Sequence, residues 1–140
     1  MYAITSTSDI ALVDTGCPQH LVRARNCPTM RTMQYYEPNE SPRQFTTAGG
    51  EPLDVRENGN LSDTLPVVFA VEGLKSTHLL SCPKLTKDDH WLIFPPRSIT
   101  SVGVYITNLT GQVMGETDRS LQLLLSSLGS SGTFITIPVI

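Results

Sequence analysis

The chain predicts a mostly β domain with one or two short helices, and three observations carry that expectation. Apolar residues come in short runs rich in Val, Ile, Leu and Phe, which suit strands better than long helices. Ten glycines and ten prolines punctuate those runs. No long segment sustains a helical period. With 140 residues the chain fits a single domain, able to bury roughly two-thirds of its unfolded surface.

The elements follow in order. Ala3-Ile4-Thr5 and Ile10-Ala11-Leu12-Val13 open the chain as strands. Residues 26–41 are turn-rich and read as an irregular surface loop. Leu53-Asp54-Val55 alternates as a half-buried strand does, and residues 65–71 give the strongest strand signal. Leu79-Leu80 is a further strand, and residues 84–90, after Cys82-Pro83, suit a helix of one or two turns. Residues 103–106 and Val113-Met114 read as strands joined by a hairpin turn at Leu109-Thr110-Gly111-Gln112. Residues 121–128 fit a helix or a buried strand equally well. Residues 129–132, Gly-Ser-Ser-Gly, read as a flexible link to a last strand at 134–137, which Pro138 places at an edge.

Composition excludes several classes of function. The net charge is −3 and the basic residues are scattered, Arg23 and Arg25 being the only small cluster, so no nucleic-acid partner is expected. No run approaches the roughly 20 apolar residues of a membrane-crossing helix, so no membrane partner is expected either. The start lacks the basic-then-apolar pattern of a signal peptide. Cys17, Cys27 and Cys82 make an odd count, which suits a reducing, cytoplasmic setting. The sequons at Asn39, Asn60 and Asn108 are then expected as chance.

The chemistry-bearing stretch is Leu12-Val13-Asp14-Thr15-Gly16-Cys17. A strand that ends on Asp-Thr-Gly can hold a carboxylate at the floor of a cleft, with Gly16 admitting a tight path or a close neighbour. One carboxylate is a poor catalyst of peptide hydrolysis. Two that share a proton are a good one, the ionised partner acting as base on a water and the protonated partner polarising the scissile carbonyl. Asp-Thr-Gly occurs once in the chain, so catalysis would require a second copy across a two-fold axis. The bland alternative is a plain Asp-x-Gly turn.

Wider context resembles the aspartic protease of copia-type retrotransposons, a retropepsin-like family. Apolar residues, Asp14-Thr15-Gly16, Cys17 and then His20, six positions after the Asp, follow that family's order. Phe45-Thr46-Thr47-Ala48-Gly49-Gly50, followed by Leu53-Asp54-Val55, is similar to its flap hairpin. Leu79-Leu80-Ser81 before a short helix is similar to its Asn-Leu-Leu-Ser segment, with His78 in place of the usual Asn; Glu57 stands where a Gly is common. The likeness spans about residues 10 to 116.

The resemblance implies a retropepsin-like closed β-barrel active as a homodimer, with the protease domain at 1–116. Residues 117–140 would be a C-terminal extension offering a dimer-interface strand. Asp14 would be catalytic. Thr15, Gly16, Cys17, Leu79, Leu80 and Ser81 would support the active-site loop, and Thr47, Ala48, Gly49 and Gly50 would form the substrate-binding flap. The enzyme would be an aspartic endopeptidase that processes a Gag-Pol polyprotein at its junctions, in the cytoplasm or within virus-like particles, with an acid-to-neutral optimum and without cofactor or metal. The competing reading is a domesticated or decayed, non-catalytic module that dimerises or binds peptides. A zinc site drawn from Cys17, His20, His78, Cys82 and His90 lacks finger-like spacing, and a Cys17 nucleophile lacks an oxyanion-hole signature. His20 either orients a loop or packs beside it, and Trp91 is expected in the core or at an interface.

Overall fold

Short apolar runs become short strands, and their order in the sheet decides where the Asp-Thr-Gly turn lies. The structure, a computed structural model, describes residues 9–37, 44–47, 49–74 and 77–136. Its strands are β1 (Ile10–Asp14), β2 (His20–Arg23), β3 (Thr32–Tyr35), β4 (Gln44–Thr46), β5 (Pro52–Asn60), β6 (Val68–Val71) and β7 (His78–Ser81). After the helix α1 (Cys82–Lys87) come β8 (Trp91–Ile93), β9 (Tyr105–Thr107), β10 (Val113–Glu116) and β11 (Gln122–Leu124). Among the described residues, eight strands join in one sheet, in the order β11-β1-β7-β2-β6-β5-β3 with β4 also on β5. The order β10-β9-β8 makes a second, smaller sheet.

The large sheet is apolar on both faces, which is why β6 reads as an unbroken run, Val-Phe-Ala-Val, with every residue buried. Alternation sends Val13, Val22, Val68, Ala70 and Leu80 to one face, where Leu85 of α1, Val104 and Ile106 cover them. The intervening Leu21, Phe69 and Val71 pack on the other face under Leu53 and Val55 of β5. Phe45 of β4 meets Phe69 edge to face at 5.5 Å and pins the β4–β5 hairpin to that second face.

Two five-residue turns share one design. In Asn108-Leu109-Thr110-Gly111-Gln112, Asn108 Oδ1 accepts from the Thr110 amide (3.0 Å), its hydroxyl (2.7 Å) and the Gln112 amide (3.0 Å). In Asp118-Arg119-Ser120-Leu121-Gln122, Asp118 Oδ1 accepts the equivalent three at 2.9, 2.7 and 3.0 Å. The fourth position takes positive φ in both, 90° at Gly111 and 64° at Leu121. The second turn delivers β11 to β1 and lets the Leu121 carbonyl accept from the Val13 amide at 2.9 Å. Leu123 and Leu125 thereby enter the core cluster that holds Val13, so β11 is built onto the same sheet as Asp14, while residues 129–135 bond to β10 and the turn before it.

Several expectations are corrected. The barrel does not close: no ladder joins the end strands β3 and β11 among the described residues, and a separate three-stranded sheet covers one face instead. Closure needs strands long and tilted enough to bring the sheet's ends together, whereas most strands here have three to five residues. Residues 26–41 hold β3, whose Thr-Met-Gln-Tyr lacks apolar alternation but pairs with β5 in register from Thr32↔Asn60 to Tyr35↔Glu57. Residues 129–132 are not a free link, since the amides of Gly129 and Ser131 donate to the carbonyls of Met114 and Val113 on β10 at 2.8 and 3.1 Å. Of the two places expected for Trp91, the core is excluded, since it is 46% exposed. The helix runs over Cys82–Lys87, starting earlier than expected because Ser81 caps it. Residues 121–128 resolve into β11 and a 3-10 turn, Leu125–Ser127. The Ala3-Ile4-Thr5 strand and Ile137 lie outside the described residues.

Candidate active site

β1 and β2 are consecutive in sequence yet do not pair. β7 lies between them, parallel to β1 with Asp14 opposite Ser81, and antiparallel to β2 through Leu21↔Leu79. Residues 15–19 therefore cross over the C-terminal end of β7, and Ser81 is the post beneath that arch. Its hydroxyl donates to the Cys17 carbonyl at 2.5 Å and accepts the Lys84 amide at 3.0 Å, so one side chain both holds the loop and caps α1. Its own amide donates to His20 Nδ1 at 3.0 Å. Within the arch, Asp14 Oδ1 accepts the Gly16 amide at 2.8 Å and Cys17 Sγ donates to the Gln19 carbonyl at 3.0 Å.

Strand alternation sends Asp14 to the same face as Leu79, beneath the β4–β5 hairpin. The hairpin turns at Thr47, whose amide donates to the Glu51 carbonyl at 2.8 Å and whose hydroxyl accepts the Glu51 amide at 3.1 Å. Gly50 takes φ 86° there, a conformation that favours glycine. Between arch and hairpin lies a cavity of about 490 Å³ whose lining includes Asp14, Gly16, Cys17, Thr47 and Leu79. Leu21, Phe45, Leu53 and Leu74 make its apolar wall, and Asp14 is its only carboxylate among the described residues.

Burial dominates the electrostatics around the arch. It pushes the Cys17 thiol up, the Gln19 backbone contact opposing and the Asp14 charge adding; burial and then Asp14 push Cys82 up likewise. Both are therefore thiols near neutrality, poor nucleophiles and poor ligands. Cys27 is pushed up to about 12 by burial and by Glu57. His20, fully buried, is pushed down to about 4, desolvation outweighing the attraction of Asp88. Among the described residues no three His, Cys, Asp or Glu side chains are grouped to hold a metal ion.

The residues singled out in the sequence are partly brought together. Asp14, Gly16, Cys17, Thr47 and Leu79 share the cavity, while Ser81 supports it from outside and Leu80 lies in the core. Thr15 is exposed on the arch, as are Gly49 and Gly50 at the hairpin tip, none of them lining the cavity; Ala48 lies outside the described residues. A Cβ at Gly16 would meet nothing closer than Asp14 Oδ1 at 3.5 Å, so neither crowding nor φ within one chain demands glycine there. Sequence reasoning missed Gln44, Leu53 and Leu74 as lining residues. Leu53 had a signal in its alternation with Val55, whereas Leu74 had none. Comparison with protein-family models, curated proteins and solved structures gives no match for this chain.

Proposed function

We propose that the protein is an aspartic endopeptidase of the retropepsin type, in which two copies each contribute Asp14 to one site. The observation that carries this reading is the shared cavity: a carboxylate at a strand end and a glycine-tipped hairpin, singled out separately in the sequence, line the same apolar space. A single carboxylate there suits a half-site. The exposed Thr15 and Gly16, with a glycine that one chain does not itself require, suit a loop that meets its twin.

In the dimer the two Asp14 carboxylates share a proton and hold one water. The ionised carboxylate takes a proton from that water as its oxygen attacks the scissile carbonyl carbon, and the protonated one donates to the carbonyl oxygen. The tetrahedral intermediate then collapses, the C–N bond breaks, and the departing amine takes a proton back. An extended peptide would lie under the hairpin, its side chains against Leu21, Phe45, Leu53 and Leu79. Junctions of a retrotransposon polyprotein are the proposed substrates, cut in the cytoplasm or in virus-like particles.

The test compares the parent chain with Asp14→Asn on carboxymethylated casein, with mass spectrometry of the chain itself for self-cleavage. The parent is expected to cut, and the variant to lose at least about a thousandfold in rate while staying folded. Equal cutting by both would refute the assignment. No cutting by a strictly monomeric parent at micromolar concentration would favour the non-catalytic module.

A further inference from the structure

We propose that His20 is a positioning residue for the Asp14 loop, acting through Nδ1 as a neutral hydrogen-bond acceptor, and that its protonation sets the acid limit at which the loop loses its place. Only the consequence for cleavage rests on the protease reading; the geometry and its first test stand without it.

β2 and β7 are in register at one pair, Leu21↔Leu79. The residue before each leucine is a fully buried histidine, and each imidazole closes one end of the pairing. His20 Nδ1 accepts the Ser81 amide at 3.0 Å, and His78 Nδ1 accepts the Arg23 amide at 3.1 Å. The two clamps are related by a local two-fold at the leucines. Each ring takes the place of a backbone carbonyl, satisfying an amide at the end of the pairing.

Their consequences differ. The His78 clamp lies at the end away from the arch. The His20 clamp fixes Ser81, whose hydroxyl holds the Cys17 carbonyl and caps α1. A neutral Nδ1 acceptor places the ring's proton on Nε2, which is buried and has no acceptor among the described residues. His20 does not line the cavity, so the ring is not placed to pass protons to Asp14. Its connection to the arch runs through Nδ1.

Protonation would set an Nδ1–H against the Ser81 N–H, two donors face to face, with a charge in a desolvated site. The groups acting on the ring come from α1 and the turn after it: Asp88 favours the charge, while Lys84 and His90 oppose it. Across the sheet, β6 and β7 face it with Val68 and Ser81. Burial prevails and holds the titration at about 4.

The direct experiment is long-range ¹H–¹⁵N NMR on the full chain from pH 7.5 to 3.5. The expected result is the Nε2-protonated tautomer at neutral pH, no His20 titration near 6.5, and a transition near 4 that the Ser81 and Cys17 amides follow. Ser81 amide protection should fall about tenfold or more across it. A His20 titration near 6.5, an Nδ1-protonated tautomer, or unmoved Ser81 and Cys17 amides would overturn the proposal.

Two variants separate the acceptor from mere bulk. His20→Asn places an oxygen where Nδ1 lies and cannot titrate, so it should keep Ser81 protected and lack the transition near 4. His20→Leu should expose the Ser81 amide; if it fails to fold, His20→Asn against the parent still decides. A transition near 4 retained in His20→Asn would refute the assignment. On casein, His20→Leu should lower kcat with little change in KM, and His20→Asn should restore it; equal kcat in all three would refute the positioning role. A chain with the expected His20 titration that cuts nothing would sink the protease reading alone.

Discussion

At Asp14 one carboxylate oxygen is already committed to the Gly16 amide, and the side chain is half-buried at a strand end. An Asn Oδ1 can still accept that amide, as a weaker neutral acceptor, so Asp14→Asn should change unfolding stability by less than about 1 kcal/mol, measured by urea denaturation, while abolishing cleavage. His20 is fully buried, its Nδ1 accepting the Ser81 amide, and its charge state depends on that burial. Its ordinary value of 6.5 falls to about 4 in the folded chain. Above 6.5 both states are neutral there; below it the unfolded chain binds a proton that the folded chain refuses. Stability from this group is therefore full above pH 6.5 and lost progressively down to about 4, roughly 3 kcal/mol in all. Urea midpoints at pH 7 and pH 5 should show about 2 kcal/mol of that loss, and His20→Asn should flatten this part of the slope.

At the scale of elements, the turn that delivers β11 to β1 and the turn that closes β9 on β10 depend on single side chains. Asp118→Ala removes an acceptor of three hydrogen bonds and should cost about 1–2 kcal/mol. Gly103→Ala should cost about 3 kcal/mol, because a Cβ there would lie 2.2 Å from the Asp118 carbonyl oxygen, a backbone atom of the same turn. Both losses are read from chemical denaturation. These elements also show what the sequence makes legible. β6 and the strand before Asp14 could be read because buried strands need continuous apolar runs, whereas the β4–β5 hairpin was expected through the family resemblance, only the alternation of Leu53 and Val55 being a local signal. β3 and β8 could not, since Thr-Met-Gln-Tyr and Trp-Leu-Ile are strands by virtue of partners distant in sequence, Asn60 and Thr107 among them. The placement of β7 between β1 and β2 was equally hidden. It rests on parallel pairing of residues 11–14 with 78–81, which no local pattern encodes. Asp14 and Gly16 were therefore identifiable by chemistry, and Thr47 and Leu79 through the family resemblance, whereas Leu74 and the His20 contact with Ser81 appeared only with the topology.

At the scale of the whole molecule, the proposed reading makes each chain a half-site that a second copy completes. One chain brings one carboxylate to one cavity, and the loop that bears it is exposed. No helix among the described residues is long and apolar enough to cross a membrane. A reversible dimer should make specific activity rise with protein concentration and then saturate, as sedimentation equilibrium passes from monomer to dimer. The decisive measurement mixes parent and Asp14→Asn chains at fixed total concentration, allows subunits to exchange, and follows casein cleavage against the parent fraction. If each active site needs Asp14 from both chains, activity follows the square of that fraction, and an equal mixture retains about a quarter of the parent rate. A linear dependence, with an equal mixture retaining about half, would mean that each chain works with its own carboxylate alone.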